Sequence, residues 1–327
     1  MTEIEIRDPD TAAPEATPAP DSPYKNLLVP LVVVPALIVM VLVLIFVLFV
    51  AVTGEESTPR ENLDRLLNGG YNERKQAAFN LVRQVLDHRR NEAQGKNESA
   101  WVDASFLPEL RAARERVDEL RGPRDVPIPL VLSSLLAQLG EAEGVAQLAE
   151  MTQLGDELDP EREYRMYAAM TLGAIGRELP PPVREQAARA LIALLENADA
   201  VLVLVAIAGL QNLPCPETVP ALRGMLKSRS LEQRASAALS LSVLGERSGE
   251  PVLREMLDPA VYEAERTADP RRWPPQRVSE SRCKALDALI ALGIPPAPEE
   301  LRRMESAEAD PKLQQAAARL LRDGASQ

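Results

Sequence analysis

Three stretches decide the fold: Arg165-Met-Tyr-Ala-Ala-Met-Thr-Leu-Gly-Ala-Ile-Gly176, Arg234-Ala-Ser-Ala-Ala-Leu-Ser-Leu-Ser-Val-Leu-Gly245 and Arg282-Cys-Lys-Ala-Leu-Asp-Ala-Leu-Ile-Ala-Leu-Gly293. They align without a gap over twelve residues, with Arg first, Ala three residues later, an aliphatic residue next to last and Gly at the end. The closing Gly predicts a helix C-terminus, where a left-handed residue without a Cβ avoids a clash. Ala168, Ala169, Ala237 and Ala238 predict a face that a neighbouring helix approaches closely and buries. The recurrent Arg165, Arg234 and Arg282 read as structural, with the stem packed between repeats and the guanidinium on a neighbouring carbonyl or carboxylate.

Working outward, a shorter amphipathic segment precedes each of these helices. Val219–Leu226 and Val252–Leu257 place apolar residues at spacings of three and four. Val145, Leu148 and Ala149 do the same before the first stretch, and Ala187–Leu195 is a longer case. Gly140, Gly176, Leu213, Gly245 and Gly293 mark successive ends, 32–48 residues apart. Neither helix of such a pair can bury its apolar stripe alone, so the pairs stack. The expectation is an all-α solenoid of about seven pairs over residues 59–323, with a short tail at 324–327.

With its Arg, double Ala and terminal Gly, the repeat resembles the HEAT family, in particular bacterial HEAT repeats of the phycobilisome-lyase type. The matching residues are Arg165, Ala168, Ala169 and Gly176, then Arg234, Ala237, Ala238 and Gly245. The resemblance covers roughly Thr58 to Arg322 and implies a fold rather than an activity. The register departs from the family at Pro129, Leu202 and Leu313, which stand where Arg is expected, and Arg74 precedes Ala77 and Ala78 without a closing Gly. Ala200–Asn212 is nearly all aliphatic, which predicts a helix covered on both faces in mid-array, the alternative being one that touches a partner or lipid.

Upstream, residues 1–25 carry six acidic side chains against two basic ones and few large aliphatics. This composition reads as a disordered tail. Residues 26–54 then run for 29 positions without a charge, long enough for a helix to span a bilayer of roughly 30 Å. The run is too long, and its flank too acidic, for a cleaved signal peptide. Residues 55–58 are a short linker, and Thr58-Pro59-Arg60-Glu61 forms a capping-box pattern that starts the first solenoid helix. Four or five residues reach at most ~17 Å, so the solenoid is expected close to the bilayer. Lys and Arg counts on the two flanks give no orientation, and the lack of a disulfide framework leans slightly to a cytoplasmic solenoid.

Composition narrows the chemistry. A net charge of -12 argues against non-specific nucleic-acid binding, which needs a positive surface. One His and two Cys are too few for a metal cluster, so no metal and no cofactor are expected. His88, in Leu86-Asp-His-Arg-Arg90, reads as a surface residue near a helix end rather than a catalytic base. Cys215 and Cys283 lie 68 residues apart without a neighbouring ligand, and a redox role for Cys215 would need a basic setting. No phosphate loop, dinucleotide fingerprint or nucleophile elbow occurs. Asn97-Glu98-Ser99 matches a glycosylation sequon, a pattern too common to carry weight alone.

Asp258–Ser279 adds about a dozen residues to one repeat and contains Arg271-Arg272-Trp273-Pro274-Pro275. Inserted loops often lie on the binding side of repeat arrays, and Trp and Arg are enriched at interface hot spots. Arg271, Arg272 and Trp273 are therefore the candidate partner contacts, on a loop expected to be exposed and locally basic. The competing reading has Trp273 capping its own repeat. The sequence points to a single-pass, membrane-anchored, non-catalytic scaffold or adaptor for a membrane-associated protein. The alternative is a lyase-type or other enzyme-associated module working with a cofactor-bearing protein.

Overall fold

The computed structural model describes residues 57–96, 106–117, 127–268, 271–308 and 310–325. The expectations for the tail at 1–25, the apolar run at 26–54, Asn97–Ser99 and the tail's last residues fall outside them. Among the described residues no helix is long and apolar enough to cross a membrane.

The described chain is all-α. Its fifteen helices run in order: α1 (Pro59–Asn68), α2 (Tyr71–Ala93), α3 (Phe106–Arg116), α4 (Ile128–Gln138), α5 (Ala142–Met151), α6 (Glu163–Ile175), α7 (Pro181–Leu194) and α8 (Ala200–Leu210). There follow α9 (Thr218–Met225), α10 (Leu231–Val243), α11 (Glu250–Leu257), α12 (Pro259–Ala268), α13 (Pro275–Ala291), α14 (Pro298–Ala307) and α15 (Pro311–Ala325). The first begins as its sequence dictates. Thr58 Oγ1 accepts from the Glu61 N–H at 3.2 Å, Glu61 Oε2 accepts from the Thr58 N–H at 2.9 Å, and Pro59 fills the first turn.

Helices pack in couples: α1 on α2, α3 on α4, α5 on α6, α7 on α8, α9 on α10, α11 on α13 and α14 on α15. The second members also touch in succession, α2 to α4, α6, α8, α10, α13 and α15, and so form a continuous row. Thr58–Gln327 make one compact unit. Its interior is Leu and Ala with few rings, and Ala168, Ala169, Ala237 and Ala238 are all fully buried, as the repeat register requires. The register also holds where Arg is missing, because Pro129, Leu202 and Leu313 are buried at the corresponding positions.

Two expectations are corrected. Gly245 and Gly293 do close their helices in the left-handed region, at φ 76° and 68°, and the following N–H reaches back five residues to Leu241 and Leu289. Gly176 does not: its φ is -54° and its ψ -39°. It is Gly for want of room, since a Cβ there would lie 2.7 Å from the Asn212 carbonyl oxygen and 2.8 Å from Leu213. The second correction concerns α8. Its neighbours α6, α7, α9 and α10 cover Leu202, Val203, Ala206, Ile207 and Leu210, but Val201 is 57% exposed. With two layers of helices, a second-row helix keeps an uncovered outer side, and even the most apolar one shows it.

Candidate functional site

Of the three register arginines, Arg282 closes the first helix of its pair, whereas Arg234 and Arg165 hold the turn that precedes their own helix. A helix leaves its last carbonyls without intrahelical donors, and a cation there also meets the negative end of the dipole. Arg282 is 5% exposed, its Nε donates to the Leu257 carbonyl at 2.9 Å, and its Nη atoms grip Glu308 at 2.9 and 2.5 Å. Arg234 donates to the Ser228 carbonyl at 2.9 Å and to Glu255 at 2.8 Å. Arg165 reaches the Asp159 carbonyl at 2.8 Å, the Asp159 carboxylate at 3.2 Å and Asp156 at 2.6 Å. Arg74, in the repeat without a closing Gly, donates to the Leu67 carbonyl at 3.4 Å. Glu255 lies on α11 and Glu308 between α14 and α15, so Arg234 and Arg282 tie one couple to the next. Their role is packing.

The candidate contact loop turns inward. Residues inserted after α11 form α12, which folds back so that Tyr262 and Trp273 close over Leu231 at the start of α10. Trp273 is 3% exposed, which overturns the expectation of an exposed ring. Its ring meets Tyr262 edge to face at 4.9 Å, and the Arg277 guanidinium lies 4.8 Å above it. Trp273 Nε1 is buried without an acceptor. The loop's positive charge is also answered. Arg272 lies 3.6 Å from Glu232 and 3.8 Å from Glu265, and Arg277 pairs with Glu232 as well. The sequence of the insert does not show Glu232, which comes from α10, some forty residues earlier. Arg271 remains exposed, and Arg272 is half-buried.

Neither cysteine has an activating environment. Burial pushes the Cys215 thiol up, against smaller opposing effects of Thr218 and Arg184. Burial, then Asp310 and Asp287, push Cys283 up. A raised thiol holds less nucleophilic thiolate. His88 is half-buried within α2. Among the described residues no group of three His, Cys, Asp or Glu could hold a metal.

The exposed apolar side chains lie elsewhere. Tyr71, Phe79 and Leu86 on α2, Tyr167 and Met170 on α6, Val201 on α8, Val243 on α10 and Ile290 on α13 are each more than a third exposed. All sit on the second row. Only Leu158, in the α5–α6 loop, departs from this rule among the described residues. Two hollows lie on the same row, while a third of about 400 Å³ lies between the first-row helices α11 and α14. One of about 540 Å³ lies among α2, α4 and α6, between Tyr71, Val82, Val131, Gln138 and Tyr167, and the Oε1 of Gln138 is buried without a donor. Another of about 260 Å³ lies over α8, α10 and α13, between Leu204, Leu239, Trp273, Arg277 and Lys284.

The sequence reading missed this face, although it left a signal. Residues such as Tyr167 and Met170 fall between the positions that the Arg–Ala–Gly register assigns to the core, so each large apolar side chain there is a candidate for exposure. Compared with known proteins, the chain matches no family model and no curated protein.

Proposed function

We propose that the chain is a single-pass membrane protein whose residues 59–323 form a HEAT-like solenoid of seven helix pairs, held to the bilayer by residues 26–54. The solenoid is a non-catalytic docking scaffold, and its partner is a protein segment at the same membrane. One observation carries the docking surface: the helix-borne exposed apolar side chains all sit on the second row. Scattered exposed apolar residues are ordinary, whereas a group gathered at a hollow, as Tyr71 and Tyr167 are, marks an interaction site. An aromatic-lined hollow such as that between Tyr71 and Tyr167 suits the apolar anchor of a peptide or helix. The charge-free run of 29 residues supports the anchor.

The test is purification of the full chain in mild detergent, with mass spectrometry of what accompanies it. Tyr167→Glu with Met170→Glu should remove the partner while leaving the helical content intact. Arg271→Ala with Arg272→Ala should leave it bound. Retention by the first variant and loss by the second would return the site to the insert.

A further inference from the structure

A repeat array needs a polar outer surface on its terminal helices, because those have no further neighbour to cover them. The last helix obeys: α15 buries Leu313 and Ala317 and exposes Lys312, Gln315, Arg319 and Arg322. The first helix of the second row does not. On α2, Phe79, Arg83, Leu86 and Arg90 follow at spacings of four, three and four, which is one stripe along a helix. All four are exposed, Phe79 at 66% and Leu86 at 45%.

This stripe runs beside the large hollow, whose α2 wall is Tyr71, Lys75, Ala78 and Val82. An occupant of the hollow would therefore leave it uncovered. Its chemistry is two guanidinium groups interleaved with two large apolar side chains, on a chain of net charge -12. Arg90 has an acidic neighbour in Asp87, but at 3.7 Å and with both side chains more than half exposed, so that pair neutralises little.

We propose that the Phe79–Arg83–Leu86–Arg90 stripe of α2 lies on the surface of an anionic lipid bilayer. The two arginines meet headgroup phosphates, and Phe79 and Leu86 enter the acyl boundary. Charge complementarity points to this occupant, because an anionic surface attracts both guanidinium groups and the long arginine stems let their heads stay among phosphates while Phe79 and Leu86 go deeper. The course of the chain supports the same occupant: the charge-free run ends at Gly54, and α1 begins at Pro59. Four such side chains bind a bilayer weakly alone, and tethering by an anchor makes the contact intramolecular. To that extent the proposal rests on the anchor reading.

The experiment uses the full chain carrying Leu86→Trp, reconstituted in vesicles of acyl-brominated phosphatidylcholine with or without phosphatidylglycerol. The readout is the emission added over the unaltered chain. Quenching of that emission is expected with phosphatidylglycerol present, and it should fade as salt is raised. Arg83→Gln with Arg90→Gln should lower the docked-to-undocked ratio about thirtyfold and abolish the quenching. Alkaline extraction of the same vesicles reports on the anchor separately. A chain that is extracted yet quenched removes the anchor and keeps the lipid face. Unquenched emission in the anionic vesicles overturns the proposal, and so does shielding of the new Trp that appears only with a co-purifying protein.

Discussion

Trp273 and Phe79 are two of the few aromatic residues in this chain, and packing sends them opposite ways. Trp273 is 3% exposed and Phe79 66%. Trp273 stands in an irregular insert, where exposure is the ordinary expectation, yet α12 brings Tyr262 to it and the start of α10 brings Leu231. Phe79 stands in the longest helix among the described residues, but α2 opens the second row and has no earlier member beside it among those residues. In a stacked array, burial depends on whether a further element exists to cover a side chain. An insert that carries its own cover can be more buried than a regular terminal helix.

That contrast can be broken by unfolding measurements on the full chain in denaturant. Trp273→Ala should cost about 3–5 kcal/mol, the usual loss for a buried large aromatic. Phe79→Ala should stay within about 0.5 kcal/mol, since an exposed side chain gives up little. Equal costs at the two positions would abolish the distinction between covered insert and open end. The register arginines sharpen it. Arg282→Met leaves the Glu308 carboxylate, 11% exposed, without its bidentate partner and should cost about 3–5 kcal/mol. Arg234→Met frees Glu255, which is 35% exposed and can turn to water, so the cost should be about 1 kcal/mol or less. A reversed order would mean that these pairs do not act through burial.

Most of the architecture was legible because it repeats. The Arg–Ala–Gly register located the helices, the buried alanines and the closing glycines at Gly245 and Gly293, and it placed the guanidinium groups on neighbouring carbonyls and carboxylates. What it mistook was decided by contacts between distant segments. Gly176 carries the same letter as Gly245 but answers to Asn212 and Leu213, a contact across some thirty-five residues that no local pattern reveals. The insert looked basic because Glu232 belongs to a different helix, and Trp273 looked exposed because Leu231 does too. The docking face was legible only by subtraction, as large apolar residues outside the core register, and that requires the register first.

The central claim is that the outer face of the second row, rather than the insert, meets the partner. Hydroxyl-radical footprinting of the full chain tests it most directly, comparing native membranes with the detergent-purified protein. The account predicts that Tyr167 and Met170, each about half exposed in the bare chain, become protected in membranes, while Arg271 and Pro274 keep their reactivity. Protection of Arg271 and Pro274 with unchanged oxidation at Tyr167 and Met170 would contradict it.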